Sequence, residues 1–278
     1  MTQQQRFRGK VVVVTGGGAG IGAAICERFH TEGAKVYIVD VNERAADATA
    51  AALTDKQADA IGAEDGQAPR AVAASVDISQ EALVSAFMDQ VHATDGRLDV
   101  LVNNAARFVL KSAEGATETD WDVVMGSNIK GYGLASKHAI RVMKATMAKG
   151  SASEASGCSI VNLGSISSFV GQAGMCTYSA TKAAILALTR CTAIDCGPYG
   201  IRVNAICPGP ILTEATKKHA DSQGKNMDDM VSELTGHMIQ HRMGAPSEVA
   251  AAVAFMASVD ATFITGASLL VDGGYSAL

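Results

Sequence analysis

Three residues in the second half of the sequence have side chains and spacing suited to proton transfer. Tyr178 and Lys182 lie four residues apart in Tyr-Ser-Ala-Thr-Lys, and Ser165 precedes the tyrosine by thirteen residues, after an Ile-Val-Asn-Leu segment. Residues i and i+4 share one face of a helix, so the ammonium group can lie beneath the phenol. Ser165 can join them only if the end of a strand meets that helix. A Tyr-Lys pair alone is weak evidence, but the ordered set of three indicates a catalytic site.

A second informative segment lies near the N-terminus and is rich in glycine. Thr-Gly-Gly-Gly-Ala-Gly-Ile-Gly follows an apolar run, and its important glycines are Gly16, Gly20 and Gly22. Such glycines allow a tight turn, a close approach of backbone N–H groups to a pyrophosphate, and close packing of the following helix. The segment therefore predicts a dinucleotide site.

Asp40 indicates which dinucleotide is preferred. It lies twenty residues after Gly20, at the end of the predicted second strand. A carboxylate there accepts hydrogen bonds from the adenosine ribose of NAD and repels the 2′-phosphate of NADP. No basic residue lies within the glycine-rich segment, and Arg44 is the one nearby cation. We therefore expect NAD as the cofactor.

With a nicotinamide cofactor, the first three residues have a specific chemistry. An alcohol that gives up a hydride must also lose its hydroxyl proton, so its oxidation needs a base. Lowering a phenol pKa of ~10 by ~2–3 units requires ~3–4 kcal/mol. An ammonium group about 4 Å away contributes about 4 kcal/mol at an effective dielectric constant of ~20. We therefore expect Lys182, together with the nicotinamide cation, to lower the pKa of Tyr178, and Ser165 to bind the substrate oxygen.

The elements that must position these residues alternate along the chain. Short apolar, β-branched runs are separated by longer segments of helical periodicity, which predicts a doubly wound parallel sheet with helices on both faces. The predicted strands are Val11–Thr15, Lys35–Asp40, Ala71–Val76, Val100–Asn103, Ser159–Leu163, Arg202–Ile206 and Leu269–Val271, and the predicted helices are Ile21–Thr31, Glu43–Leu53, Gln80–Thr94, Glu118–Met147, Met175–Asp195 and Ser247–Ala257. No linker divides the chain, so residues 1–278 are expected to form one domain.

Three segments interrupt this alternation. Asp55–Pro69 and Gly150–Gly157 are rich in small and polar residues and are predicted to be surface loops. Leu212–Met243 is a long insertion before the last helix, and its position makes it a candidate substrate lid.

Composition excludes several other classes of function. The formal charge is -5 and aromatic residues make up 5% of the chain, so neither a basic patch nor stacking platforms for nucleic acid are expected. No segment approaches the ~20 apolar residues of a membrane span. The six cysteines show no Cys-x-x-Cys spacing, and the pair His237 and His241 lacks the glutamate of a zinc-protease motif, so we expect no metal site. Without an apolar signal segment at its N-terminus, the protein is expected to be cytoplasmic.

Over nearly its full length the chain resembles the short-chain dehydrogenase/reductase family. Besides the segments above, it has Asn103-Asn104-Ala105-Ala106, close to the family's Asn-Asn-Ala-Gly, as well as Pro208-Gly209-Pro210-Ile211-Leu212-Thr213 and Asp272-Gly273-Gly274. The resemblance implies a Rossmann-type sheet of about seven strands. It also implies that Asn128 holds a water linking Lys182 to solvent, and that Asp77 contacts the adenine. The cofactor residues expected by motif and resemblance are Thr15, Gly16, Gly20, Ile21, Gly22, Asp40, Val41, Asp77, Ile78, Asn104, Ala105, Tyr178, Lys182, Pro208, Gly209, Ile211 and Thr213.

No motif in the sequence identifies the substrate. Phe108, Ser167 and Met175 flank the motifs and are candidates for its pocket. Two features favour NAD-linked oxidation of a small secondary alcohol. One is Asp40, and the other is the Gly150–Gly157 loop, which contains Glu154 but no Lys or Arg. The alternative within enzymes is a 3-oxoacyl-carrier-protein reductase, whose family members tend to prefer NADP and present basic residues to the carrier. Enoyl reductases of the family space the tyrosine and lysine more widely. A non-catalytic NAD-binding sensor or scaffold is the alternative outside enzymes.

Assembly is suggested by the helix that carries Tyr178. It continues as Ala-Ala-Ile-Leu-Ala-Leu-Thr-Arg-Cys-Thr-Ala-Ile, with small and apolar residues around nearly its whole circumference. One sheet-facing stripe does not need so many, so its outer face is expected to pack against another subunit. The resemblance implies a tetramer.

Overall fold

The computed structural model describes residues 5–59, 70–149 and 157–277, apart from 215, 218–219, 221–223, 225 and 237. Its strands form one seven-stranded parallel sheet in the order β3-β2-β1-β4-β5-β6-β7. This confirms the predicted Rossmann-type architecture. The strands are β1 Val11–Thr15, β2 Lys35–Asp40, β3 Ala71–Ser75, β4 Val100–Asn103, β5 Cys158–Leu163, β6 Ile201–Pro208 and β7 Ser268–Val271.

Helices cover both faces of the sheet. Each strand except the last is followed by a helical segment that returns the chain to the next parallel strand, as the crossover geometry requires. The helices are α1 Gly20–Thr31, α2 Glu43–Asp59, α3 Glu81–Asp95, α4 Glu118–Met125, α5 Gly131–Lys149, α6 Cys176–Cys196, α7 Met227–Thr235 and α8 Pro246–Ala257. Among the described residues, no helix has the length and apolar character needed to cross a membrane.

The alternation of side chains along β1 explains its uninterrupted run of valines. Val11 and Val13 belong to an apolar core under α3, α5 and α6, whereas Val12 and Val14 belong to a second core under α1 and α8. All four are buried, because successive side chains of a strand point to opposite faces of the sheet.

The topology also locates the site. β1 pairs with β2 on one side and with β4 on the other, so the direction of strand progression reverses at its edges. The loops after β1 and β4 separate there and leave a crevice at the carboxyl ends of the strands, where ligands bind in open parallel sheets.

Two of the predicted segments were wrong in detail. Glu118–Met147 is not one helix, because a π-helical turn at Gly126–Lys130 separates α4 from α5. The loop predicted from Asp55 begins later, since α2 continues to Asp59. The rest of that loop and most of the loop at 150–157 lie outside the described residues. The candidate lid contains a helix, α7, which the sequence did not predict.

Candidate active site

A cleft of about 630 Å³ opens at the carboxyl ends of the strands. It brings together segments that are far apart in the sequence: the loop after β1, the ends of β2 to β6, the start of α6 and part of the lid. All the predicted catalytic, cofactor and substrate residues line this cleft except Thr15 and Asn128.

The glycine-rich loop has the form of a cradle. Gly20 has φ +54°, and a Cβ added there would point across the cleft toward Thr213, 3.6 Å from its nearest atom. A Cβ on Gly22 would lie 1.9 Å from the Gly16 carbonyl oxygen, so only glycine allows this contact between helix and loop. α1 starts at Gly20, and the preceding Ala19 offers no capping side chain. The first N–H groups of α1 are thus suited to an anion such as a pyrophosphate, and the loop fits a dinucleotide.

Two carboxylates at neighbouring strand ends are held by the backbone. Asp40 accepts hydrogen bonds from the amides of Gly18 at 3.1 Å and Asn42 at 2.9 Å. Asp77 accepts them from the amide and hydroxyl of Ser79, at 2.9 and 2.7 Å. Both carboxylates therefore have fixed positions along the half of the cleft that begins at the glycine-rich loop.

Thr15 does not lie on the surface of the cleft, where a contact with the cofactor was expected. It is buried and does not line the cleft. Its hydroxyl accepts hydrogen bonds from the amides of Asn104 and Ala105 and donates to the Val102 carbonyl. The Asn104 side chain donates in turn to the carbonyls of Thr15 and Gly16. Thr15 thus ties the end of β1 to the end of β4 beneath the loop.

The predicted catalytic side chains converge on the floor of the cleft. Ser165 follows β5 and lines the cleft together with Tyr178, and its hydroxyl accepts from the Ser167 amide at 3.1 Å. Lys182 lies one turn further along α6, and its Nζ is 5.5 Å from the centre of the Tyr178 ring. That Nζ donates to the Leu163 carbonyl at 2.6 Å, at the end of β5.

The pKa of Tyr178 is shifted in the direction opposite to the expectation. Burial raises it to about 12, and the hydrogen bond from Ser165 opposes this only in part. Burial lowers the pKa of Lys182 to about 8, because removal from water disfavours the ammonium form. In this arrangement the Lys182 ammonium donates to the Leu163 carbonyl. The expectation that Lys182 and the nicotinamide cation together lower the pKa of Tyr178 stays a prediction.

Asn128 lies behind the cleft, in the π-helical turn, and is fully buried. Its Oδ1 accepts from the Arg107 amide at 2.7 Å, and its Nδ2 donates to the Arg107 carbonyl and to the Thr181 hydroxyl, both at 3.0 Å. Thr181 donates to the Tyr178 carbonyl at 2.8 Å. The side chain of Asn128 therefore joins the loop after β4 to the helix that carries Tyr178. The Thr181 link was not anticipated.

The far end of the cleft is mainly apolar. The ring of Phe108 packs edge-on against that of Tyr178, with centroids 4.4 Å apart, and Met175 lies on the same wall. Leu234 of α7 and Met243, from the lid segment, also line the cleft. The lining also contains polar residues that sequence reasoning missed, among them Arg107, Glu214 and Gln172. Gln172 lies between the motif residues Ser165 and Tyr178, and that position could have identified it.

Comparison with known proteins agrees with the fold and the motifs. The family model described as enoyl-(acyl carrier protein) reductase, of short-chain dehydrogenase/reductase type, matches residues 16–276. The chain belongs to the short-chain dehydrogenase/reductase family. It is therefore an oxidoreductase of a family that uses nicotinamide cofactors.

Individual relatives match over almost the whole chain. The chain is 37% identical to meso-2,3-butanediol dehydrogenase of Serratia marcescens, over 98% of this chain and 96% of that protein. It is 35% identical to NAD-dependent glycerol dehydrogenase of Listeria innocua, over 96% and 94%. The crystal structure of levodione reductase superimposes with a TM-score of 0.87 at 31% identity, covering 98% of this chain and 99% of that one.

Proposed function

We propose that this protein is an NAD-dependent dehydrogenase of small secondary alcohols, with Tyr178 as the catalytic base. The observation that carries the proposal is that Ser165, Tyr178 and Lys182 come together in one cleft whose other end is a glycine cradle. The names of two relatives, dehydrogenases of a diol and of glycerol, agree with an alcohol substrate.

In the proposed oxidation, the alcohol carbon loses a hydride and its oxygen loses a proton. A nicotinamide held along Pro208, Ile211 and Thr213 would supply the acceptor for this hydride and its electron pair. The Tyr178 phenolate takes the proton, and the C–O bond becomes a carbonyl. Ser165 donates a hydrogen bond to the substrate oxygen and stabilises the charge that develops there. In the reduction, Tyr178 returns the proton.

Tyr178 must become a phenolate in a place where burial raises its pKa to about 12. Positive charge near the phenol is therefore required for reaction near neutral pH. We propose that Lys182, whose ammonium lies beside the ring, and the positively charged oxidised nicotinamide supply it together. We assign Asn128 the positioning of α6, along with the family's role of holding a water that links Lys182 to solvent.

NAD is the proposed cofactor because of Asp40. Its carboxylate lines the cleft next to Val41, with the two backbone amides already fixing its position. A 2′-phosphate would bring like charge close to it, whereas ribose hydroxyls can donate to it. Asp77 and Ile78 line the same part of the cleft and are assigned to the adenine.

The alternatives differ in what the site must contain. A 3-oxoacyl-carrier-protein reductase needs a docking surface for an acidic carrier, and the 150–156 loop that bears on this lies outside the described residues. A sensor or scaffold has no need of a tyrosine placed in the same cleft as a serine and a buried lysine. We therefore favour the alcohol dehydrogenase, acting as one domain, 1–278, with 212–243 as its lid.

Assembly and location are also proposals. The outer face of α6 exposes Ala180, Ala183, Ala187 and Ile194, the last at 76%. Burying this small, apolar face favours a homo-oligomer, for which we propose a tetramer. A stable monomer in sedimentation at micromolar concentration would contradict it. We propose a cytoplasmic enzyme whose partners are small molecules rather than nucleic acid or membrane.

The test of the proposed reaction is Tyr178→Phe, with Tyr132→Phe as the matched control. Tyr132 is fully buried, its ring lies 5.7 Å from the same Lys182 Nζ, and it does not line the cleft. Tyr178→Phe should lower kcat by ~10²–10⁴-fold while NAD binding changes little, because only the proton acceptor is lost. Tyr132→Phe should retain most turnover. If Tyr178→Phe keeps more than a few per cent of kcat, Tyr178 is not the base.

A further inference from the structure

Gln172 is a polar residue that lines the same cleft as the apolar residues Phe108, Met175, Leu234 and Met243. The Ser167 hydroxyl, which is 5% exposed, donates to the Gln172 Oε1 at 2.9 Å. Ser167 is itself connected to Ser165, because its amide donates to the Ser165 hydroxyl. A continuous line of hydrogen bonds thus runs from the residue at the proposed reacting oxygen to the carboxamide of Gln172.

This arrangement leaves the carboxamide with an unused donor. A glutamine amide has one acceptor oxygen and an NH₂ group with two donors. Its oxygen is occupied by Ser167, and within the described part of the chain its Nε2 has no hydrogen-bond partner. Gln172 is half-buried and borders the cleft, so a substrate that fills the apolar end would cover this NH₂ group. A covered donor without an acceptor is unfavourable.

We propose that Gln172 is the recognition group for a second oxygen of the substrate, so that the substrate is a small diol or its hydroxyketone. The reacting hydroxyl lies at Ser165 and Tyr178, and the second hydroxyl or carbonyl oxygen accepts a hydrogen bond from Gln172 Nε2. Phe108 and Met175 contact the carbon chain between them. This inference rests on the proposed function for the position of the reacting hydroxyl, and it adds the substrate class and a residue that selects it.

With Gln172 in this role, the protein should bind diols more tightly than monoalcohols of the same carbon chain, rather than binding all alcohols more tightly. An apolar pocket separates alcohols that differ by one hydroxyl only weakly, whereas a site with a donor in place rejects the analogue that leaves the donor unpaired. A monoalcohol would leave Gln172 Nε2 covered and unpaired, and a diol would satisfy it. A diol should therefore bind ~10- to 100-fold more tightly than the monoalcohol of the same carbon chain.

The experiment measures binding, so that it does not depend on turnover. Calorimetry gives the Kd of butane-2,3-diol and of butan-2-ol for the NAD⁺-saturated Tyr178→Phe protein, with and without Gln172→Leu. We expect the diol to bind ~10- to 100-fold more tightly, and Gln172→Leu to reduce that ratio to ~1–3. Gln80→Leu, the same change at an exposed position before α3, should leave the ratio unchanged.

Two results overturn the proposal: a diol that binds no more tightly than the monoalcohol, including one with no measurable binding, or a ratio that Gln172→Leu does not change. Failure of the proposed function is a different observation, namely that the wild type oxidises neither alcohol with NAD⁺ whatever the binding ratio. Ser167→Ala is a further check, since loss of the hydroxyl that orients Gln172 should lower the ratio part of the way.

Discussion

The two halves of the cleft are built by different parts of the chain. The half next to the glycine-rich loop is made of strand ends and backbone amides, and its carboxylates, Asp40 and Asp77, are held by main-chain N–H groups. The half beyond Tyr178 is made of side chains from loops and from α7, such as Phe108, which is 46% exposed, and Leu234.

This difference explains why one half can be recognised in the sequence and the other cannot. A site made by the backbone restricts which residues can stand at fixed positions, since a Cβ on Gly22 would overlap the Gly16 carbonyl. A wall of apolar side chains accepts many residues of similar size. The proposed reaction takes place at the boundary between the two halves, where Ser165 and Tyr178 lie.

The largest effect is expected in the half of the cleft next to the glycine-rich loop, which is the proposed cofactor half. Asp40→Asn keeps an acceptor for the Gly18 amide but removes the charge that repels a 2′-phosphate. The wild type should favour NAD⁺ by ~30- to 1000-fold in kcat/KM, from ~2–4 kcal/mol of repulsion and lost hydrogen bonds. The variant should narrow this preference by ~10- to 100-fold, with KM for the alcohol nearly unchanged. Steady-state kinetics with both cofactors measures it.

The control for this change is Glu43→Gln, which removes a carboxylate at the exposed start of α2. It should leave the cofactor ratio as it is. Two results would contradict this role of Asp40. One is a wild type that uses NADP⁺ as well as NAD⁺, and the other is an Asp40→Asn variant with the wild-type cofactor ratio.

A smaller effect is expected at the boundary, for Thr181→Val. Loss of the hydroxyl leaves Asn128 Nδ2 with one hydrogen-bond partner fewer and removes the side-chain hydrogen bond to the Tyr178 carbonyl. At ~1–2 kcal/mol for such a loss, kcat should fall ~5- to 30-fold, while the Kd of NAD⁺ and the KM of the alcohol change less than ~3-fold. Thr181→Ser should restore kcat, because the hydroxyl is what positions the helix.

The same helix offers a matched control. Thr189 has the same pattern two turns further on: it accepts from the Asn162 side chain at 2.9 Å and donates to the Ile185 carbonyl at 2.8 Å. Thr189→Val should lower stability by a similar amount but leave kcat near the wild-type value. Equal losses of kcat in the two variants would mean that Thr181 acts only on stability.

The smallest expected effect concerns stability and pH. The pKa of Lys182 is lowered from 10.5 to about 8 in the folded protein, so between these values the unfolded chain binds more protons. Stability should therefore rise with pH from about 8 to 10.5 and be lost as pH falls through 8. Relative to Lys182→Met, the Tm of the cofactor-free wild type should rise by roughly 5–10 °C between pH 8 and 10, from ~1.4 kcal/mol per pH unit and ~2–4 °C per kcal/mol.

Differential scanning calorimetry at intervals from pH 7 to 10 measures this difference. Above pH 10 the raised pKa of Tyr178 acts in the opposite direction, so the comparison ends there. A difference between wild type and Lys182→Met that stays constant with pH would mean that Lys182 is not desolvated in solution as it is in this structure.

The sequence by itself determined the sheet and the residues of the cofactor half. Runs such as Val11–Thr15 are apolar on both faces because helices cover both, and few other residues can replace Gly20, Asp40 or Tyr178 at their positions. These are local requirements, so they can be read from residue type and spacing.

Only the tertiary structure decided how these groups contact one another. It directed the Lys182 ammonium to the Leu163 carbonyl, turned Thr15 inward to join β1 to β4, and introduced the π-helical turn that carries Asn128 to Thr181. It also placed Gln172 on the wall of the cleft. Such contacts join residues far apart in the chain, and they depend on which donors and acceptors remain unpaired once the elements have packed. Residue type and spacing do not contain that information.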